Sequence, residues 1–351
     1  MQSRTSAVRN RSGRGWAPTH NPLPGLFLSF TIAAAALELR NLSGVTALSP
    51  LIIAIVLGMA FHNTVGTPAA CKPGVTFSMR RVLRFAIIPL GLQLSLSQMI
   101  SVGIVGVAII ALSLAGTFIF TVWLGHRLGI DHKLVQLIAA GTAICGASAV
   151  IATNTVTRAS DEDVAYAVTS VTVFGSASMV LYPALQGWLQ LAPNAFGLWA
   201  GASIHEIPQV LAAAFQNGVD SGSFGTIAKL SRVMLLAPMI LTLGYFSARR
   251  RPTIKSDRVK RPTAQAVVIP WFVFGFVAMM LFNSLDLLPQ AVKAYLIQAT
   301  VFLLTIAVAA KGLQPDVRQL RPKGWKPLLV GAGSWLFISL FSLALTKWGY
   351  S

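Results

Sequence analysis

Acidic residues are scarce in this chain. Ten Asp and Glu stand against 28 Lys and Arg among 351 residues, and charged residues of both signs make up 11% of the total. Soluble domains carry about 25% charged residues, so there is too little charge here to clothe a water-facing surface of this size. Cysteine is nearly absent as well. Cys71 falls in a predicted loop and Cys145 in a predicted membrane segment, which leaves neither a disulfide framework nor a zinc site; no metal or cofactor is expected. The first 24 residues lack the apolar core and small-residue cleavage site of a signal peptide. They are polar, Arg-rich and broken by Gly13, Gly15, Pro18, Pro22 and Pro24, and read as a disordered basic cytoplasmic tail.

What the chain has instead is apolar length, with 54% hydrophobic residues. Hydrophobic runs fall at 25–38, 48–62, 84–99, 102–125, 134–157, 164–190, 196–216, 227–247, 266–283, 291–310 and 327–346. About 20 apolar residues cross the hydrocarbon of a bilayer as a helix, and the first two runs are nearer 15. The expectation is an all-α polytopic membrane protein with ten or eleven transmembrane helices, forming a single transporter domain over 25–351.

The excess of basic charge, +18 overall, raises the question of nucleic acid, and its distribution answers it. With the amino terminus inside, 22 of the 28 Lys and Arg fall in predicted cytoplasmic segments: Arg4 to Arg14, Lys72 to Arg84, Arg127 and Lys133, the cluster at 249–261, and Lys311 to Lys326. Arg40, Arg158, Lys229, Arg232, Lys293 and Lys347 are left for the other side. This asymmetry predicts eleven crossings with the carboxyl terminus outside, and membrane lipid, not nucleic acid, as the partner of the basic residues. The loop at 249–261 would gain about 1 kcal/mol per basic residue against an anionic leaflet. Asp161, Glu162, Asp163, Asp220 and Asp286 fall on the predicted outer face.

Two internal echoes bear on architecture. Pro50 to Asn63 matches Pro270 to Asn283 in its Pro, Met and Asn spacing, and Gly91-Leu92-Gln93 returns as Gly312-Leu313-Gln314. The matching segments lie an odd number of crossings apart, the arrangement of an inverted repeat. Small-residue stretches at 140–148 and 200–208 also resemble one another. They are two crossings apart, so their likeness reflects either a re-entrant segment or shared function.

Those two stretches carry the chemistry. Gly141 and Gly146 weaken the first helix by about 1 kcal/mol each relative to Ala. A break there would turn free N–H groups and a positive dipole end into a cavity near the membrane midplane, which suits an anion. Thr142, Cys145, Gly146 and Ser148 line this stretch, with Asn154 beyond it; the competing reading is a tight small-residue helix contact. In the second stretch, Ser203, His205 and Glu206 precede Pro208, which disrupts the helix. Glu206 is the one acid in a predicted membrane interior, and an intramembrane ionisable residue is a functional candidate by default. Glu206 and His205 are therefore candidates for substrate contact and proton coupling, against a structural hydrogen bond to another helix.

An enzyme is not expected. His205-Glu206 begins like a zinc-peptidase motif, but Gln209 and Val210 follow where the second His would stand. Ser148 lacks the closing glycine of a nucleophile elbow. No catalytic residue is assigned.

The runs Ser49 to Met59, Ile138 to Ala149, Glu162 to Val168, Phe196 to Glu206, Ala228 to Pro238 and Lys311-Gly-Leu resemble the YeiH-like family of bacterial membrane proteins named for sulfate export. That family is grouped with the bile-acid-symporter and sodium-proton-antiporter superfamily. The resemblance implies a multi-pass protein of the bacterial inner membrane with inverted repeats and crossed, unwound helices. It implies Thr142, Cys145, Gly146, Ser148, His205 and Glu206 as cavity residues.

Energetics favour export. At about 2.3 kcal/mol per charge per 100 mV, an interior-negative membrane drives a dianion outward by roughly 4.6 kcal/mol, about 2,000-fold, without a coupling ion. The expected function is a secondary transporter that exports or exchanges a small anion such as sulfate by alternating access. An organic-anion carrier for sulfonates or carboxylates, an anion channel and a scaffold without turnover are the alternatives. Coupling to protons or sodium ions and assembly as a homodimer are compatible with the sequence.

Overall fold

The computed structural model describes residues 21–42, 49–93, 96–249, 271–285, 288–314 and 324–350. The basic tail at 1–24, save its last four residues, and the loop at 249–261, save Arg249, lie outside the described residues. Within them the regular structure is helical throughout.

The chain opens with α1 (Leu23–Leu42) and α2 (Pro50–Thr64). Ser49 starts α2 by accepting the Leu51 N–H, and Pro50 occupies a first-turn position where no N–H is needed. A run of short pieces follows, including α3 (Lys72–Phe77), a π-turn at Ser78–Val82 and α4 (Leu83–Leu90). Then come α5 (Leu96–Arg127), which bends at Gly103, α6 (His132–Ala143) and α7 (Ala147–Thr157). Asp131 caps α6 through the Lys133 and Leu134 N–H groups.

Next is α8 (Asp161–Leu189), capped by Ser160, with Asp161, Glu162 and Asp163 in its first turn. Those acids complement the positive end of the helix. The remaining elements are α9 (Pro193–Ser203), α10 (Ile207–Gln216), α11 (Val219–Met234), α12 (Leu236–Arg249), α13 (Trp271–Ser284), α14 (Gln290–Gly312) and α15 (Trp325–Gly349).

Among the described residues, six segments are long and apolar enough to cross a membrane: Leu23–Asn41, Val102–Arg127, Asp161–Leu189, Val219–Leu243, Gln290–Gly312 and Trp325–Gly349. The protein is a multi-pass helical membrane protein. The other apolar runs take different forms. The described parts of those at 48–62 and 266–283 fall on α2 and α13, of 15 and 14 residues. The run at 84–99 is shared between α4, a 3-10 turn at Gly91–Gln93 and the start of α5. The runs at 134–157 and 196–216 are each split into two short helices, α6 and α7, and α9 and α10.

The segments that echo one another in sequence make reciprocal contacts. Gly312 lies against the backbone of α2, where an added Cβ would stand 2.4 Å from the Ile55 carbonyl oxygen. Gly91 lies against α13, where an added Cβ would stand 2.3 Å from the Phe276 carbonyl oxygen.

The core surrounds α9 and α10. Phe196, Leu198, Trp199, Ala200, Ala202 and the stretch Val210 to Ala214 are all buried, as a helix enclosed by others requires apolar residues on every side. Trp199 stacks on Tyr182 of α8 with ring centroids 3.8 Å apart. Its indole N–H donates to the Ser339 carbonyl of α15 at 2.9 Å, and the Tyr182 hydroxyl donates to Ser339 Oγ at 2.7 Å. This holds α8, α9 and α15 as a frame around the two helix breaks.

Candidate functional site: the junction of two broken helices

The first break follows from a glycine. Beyond α6, Ile144 leaves helical geometry at φ −120° and ψ −84°, and Gly146 turns at φ 65° before α7 begins. That positive φ disfavours any residue with a Cβ. Space forbids one as well, since a Cβ on Gly146 would lie 2.5 Å from Glu206 Cγ. In the second break the chain extends at Ile204 and Glu206, and α10 restarts with Pro208 in its first turn. Pro208 therefore opens a helix, where its missing N–H costs nothing. The Glu206 N–H is accepted by Gln209 Oε1 at 3.1 Å.

Two breaks create four helix ends, and each kind of end meets the opposite charge. The carboxyl ends of α6 and α9 expose carbonyl groups that carry partial negative charge. Lys229 of α11 donates to the carbonyls of Ile144 at 2.8 Å, Ile204 at 2.8 Å and His205 at 2.5 Å. Arg232, one turn on, donates to those of Thr142 at 2.9 Å, Ala143 at 3.2 Å, Gly201 at 3.1 Å and Ile204 at 3.1 Å. Both cations are 0% exposed, and hydrogen bonding of this completeness is what a buried charge requires. Gly201 lets α11 come close enough, since a Cβ there would lie 2.6 Å from the Gly225 carbonyl oxygen.

At the amino ends of α7 and α10 the charges reverse. Glu206, the residue before α10, is 5% exposed. Its Oε2 lies 2.8 Å from the Lys311 ammonium of α14, and its Oε1 receives that ammonium at 3.0 Å. Oε1 also accepts the Thr172 hydroxyl of α8 at 3.2 Å and, more weakly, the Ala147 N–H that begins α7 at 3.5 Å. Gln209 Nε2 ties the group to α8 through the Thr172 carbonyl at 3.0 Å and Ser176 Oγ at 3.2 Å.

The structure thus brings Gly146, Cys145, His205 and Glu206 together at the two breaks. Cys145 is a buried free thiol. His205 is 0% exposed, and neither ring nitrogen has a hydrogen-bond partner among the described residues. Ser148 lies exposed on the first turn of α7. Thr142 offers its carbonyl to Arg232. The Ser203 hydroxyl donates to the Trp199 carbonyl at 2.6 Å within its own helix. Asn154 caps the far end of α7 by accepting the Ala159 N–H at 2.7 Å.

One expectation is corrected. The charge tally assigned Lys229 and Arg232 to an outer face and Lys311 to a cytoplasmic connection, whereas all three are buried, Lys311 at 4% exposure. Their long side chains are drawn in by the carbonyl groups of the helix ends and by the Glu206 carboxylate. The sequence did hold a signal, because Lys229 and Arg232 are three apart on one helix face in a segment where Asp220 is the nearest acid. With every group ionised, the junction holds three cations against one carboxylate.

Comparison with known proteins gives the junction its context. The family described as conserved hypothetical protein 698 matches residues 24–331. A UPF0324 membrane protein of Pseudomonas aeruginosa is 39% identical over 345 residues, covering 95% of this chain and 96% of the relative. One from Yersinia pestis is 39% identical over 319 residues, covering 88% and 87%. The UPF0324 inner membrane protein YeiH of Escherichia coli K12 is 37% identical over 325 residues, covering 90% and 91%.

Proposed function

The chain belongs to the family of conserved hypothetical protein 698 and is a relative of the YeiH-like membrane proteins, and from that premise we propose that it is a secondary transporter, not an enzyme, exporting or exchanging a small anion by alternating access. The observation that carries this reading is the charge at the junction. Lys229, Arg232 and Lys311 are buried against the single carboxylate of Glu206. Helix ends do not cancel the surplus, since two partial negative ends and two partial positive ends offset one another. With all three ionised, the complement of that surplus in a low-dielectric interior is an anion. Sulfate, organic sulfonates and dicarboxylates share the chemistry that such a surplus takes up.

Architecture supports the same reading. Anionic substrates of secondary transporters bind where the amino ends of interrupted helices point into the membrane interior at a repeat interface, and α7 and α10 begin beside Glu206. The reciprocal contacts of Gly91 with α13 and Gly312 with α2 support an inverted repeat. Counting α2, α13, the run from α3 to α4 and the two broken pairs as crossings alongside the six long segments gives eleven. The positive-inside asymmetry supports an amino terminus in the cytoplasm and a carboxyl terminus outside, in the bacterial inner membrane.

Counterflow of radiolabelled sulfate in proteoliposomes tests the proposal. A carrier exchanges labelled for unlabelled anion with saturation. Conductance without saturation would replace this reading with a channel, and absence of exchange for sulfate, methanesulfonate and succinate alike would overturn it.

A further inference from the structure

We propose that the Glu206 carboxylate is a tethered stand-in for the transported anion: the incoming anion takes its place on the Lys311 ammonium, and the displaced carboxyl carries a proton for as long as the anion stays. This rests on the anion-carrier reading above.

Three donors converge on the carboxylate, from three elements. They are the Lys311 ammonium on α14, the Thr172 hydroxyl on α8 and the Ala147 N–H on α7. None belongs to the link that carries Glu206, so the cradle stays assembled when the carboxylate leaves it. An ammonium, a hydroxyl and a backbone N–H are the groups an oxyanion takes up. The same link holds an independent sign of a missing partner. His205, fully buried, has two ring nitrogens without a hydrogen-bond partner among the described residues, and buried polar atoms in that state call for an occupant.

Displacement has a protonic consequence. The charged and titratable groups that face Glu206 are Lys311 on α14, Lys229 on α11 and Cys145 on the other link, with His205 its neighbour in the chain and Arg232 one turn beyond Lys229. Lys229 and Arg232 are committed to carbonyl groups of both broken helices. Among the described groups that face it, a displaced carboxylate therefore finds no further cation to pair with, and it stands beside a second negative charge in a water-poor interior. Two like charges so placed do not both persist. The balance is one proton from the bath onto a Glu206 carboxyl oxygen as the anion binds Lys311, and the same proton returned when the anion departs. For sulfate, the charge moved per turnover falls from two to one.

The test uses purified full-length protein in a chloride-free, weakly buffered detergent solution. Potassium sulfate, chloride, methanesulfonate and succinate are added in turn; binding is followed by calorimetry and proton uptake by an indicator dye. The expected result is uptake of about one proton per anion bound, with affinity falling about tenfold per unit rise in pH wherever that proton is taken up. Glu206→Gln, which lacks the competing charge, binds the same anion about tenfold or more tighter and takes up no proton. Binding without proton uptake, a flat pH profile, or weaker binding by folded Glu206→Gln would overturn the inference and leave the carrier reading standing. Because the wild-type pH profile decides alone, a variant that fails to fold does not stall the test. If none of the four anions binds the folded wild type, the carrier reading falls and this inference with it.

Discussion

The Lys311 ammonium, 2.8 Å from Glu206 Oε2, joins two residues 105 positions apart in the chain and brings α14 onto the link between α9 and α10. Both side chains are buried. A pair of this kind contributes little when compared with a well-packed apolar replacement, but removing one partner leaves a buried charge unopposed.

Lys311→Met should accordingly lower stability by about 3–5 kcal/mol, seen as earlier thermal unfolding in detergent. Adding Glu206→Gln to it should recover most of that loss, because the orphaned carboxylate is gone, while sulfate counterflow stays absent in both variants. A single variant that unfolds no earlier than wild type would show that the two groups do not depend on one another.

Gly146→Ala separates two effects of one methyl group. Gly146 and Gly103 both have positive φ, 65° and 58°, but a Cβ on Gly103 meets nothing within 4 Å, while one on Gly146 meets Glu206. Each alanine carries the cost of a positive φ with extended ψ, on the order of 1–3 kcal/mol. Only Gly146→Ala should also lose sulfate counterflow, by about tenfold or more, a factor equal to about 1.4 kcal/mol. Equal transport in the two variants would remove Gly146 from the site.

Arg232→Lys should be far from conservative. The guanidinium reaches four carbonyl groups of two helices through Nε, Nη1 and Nη2, and one ammonium cannot reproduce that fork. At about 1.5–3 kcal/mol for each hydrogen bond to a charged group, loss of one or two should lower stability by several kcal/mol, measurable as reduced yield of folded protein and a lower Tm. An unchanged Tm would mean that the α6 and α9 ends are satisfied by other means.

Sodium should be dispensable. In broken-helix transporters, coupling cations are held by unwound carbonyls and helix carboxyl ends. Here those of Thr142, Ala143, Ile144, Gly201, Ile204 and His205 already serve Lys229 and Arg232. Replacing sodium with choline on both sides of the proteoliposome should leave sulfate counterflow within about twofold, roughly 0.4 kcal/mol on the scale of 1.4 kcal/mol per decade. A collapse of transport would show a sodium site elsewhere.

Both helix breaks were legible in the residues. Gly146 and Pro208 mark backbone that a continuous helix does not favour, and a lone carboxylate in an apolar run marks itself. The cations were not legible in the same way. Lys229, Arg232 and Lys311 sit near the ends of apolar runs, where long basic side chains ordinarily reach out to the headgroups. What turns them inward is mostly main-chain carbonyl, which has no residue identity and becomes available only because the helices break. Thr142 and Ser203 show the converse. Their hydroxyls drew the eye in the sequence, yet the structure engages the Thr142 carbonyl with Arg232 and the Ser203 hydroxyl with its own helix.

Lys229 clasps carbonyls from both broken helices with one nitrogen atom, so the tips of α6 and α9 are mechanically a single piece with α11. Sliding either tip past the other would shear seven bonds made by two side chains. Within the junction, α14 is held by the grip of Lys311 on Glu206 and Thr172. The seam between α14 and the two helix breaks therefore carries fewer of these bonds, and it passes through the carboxylate.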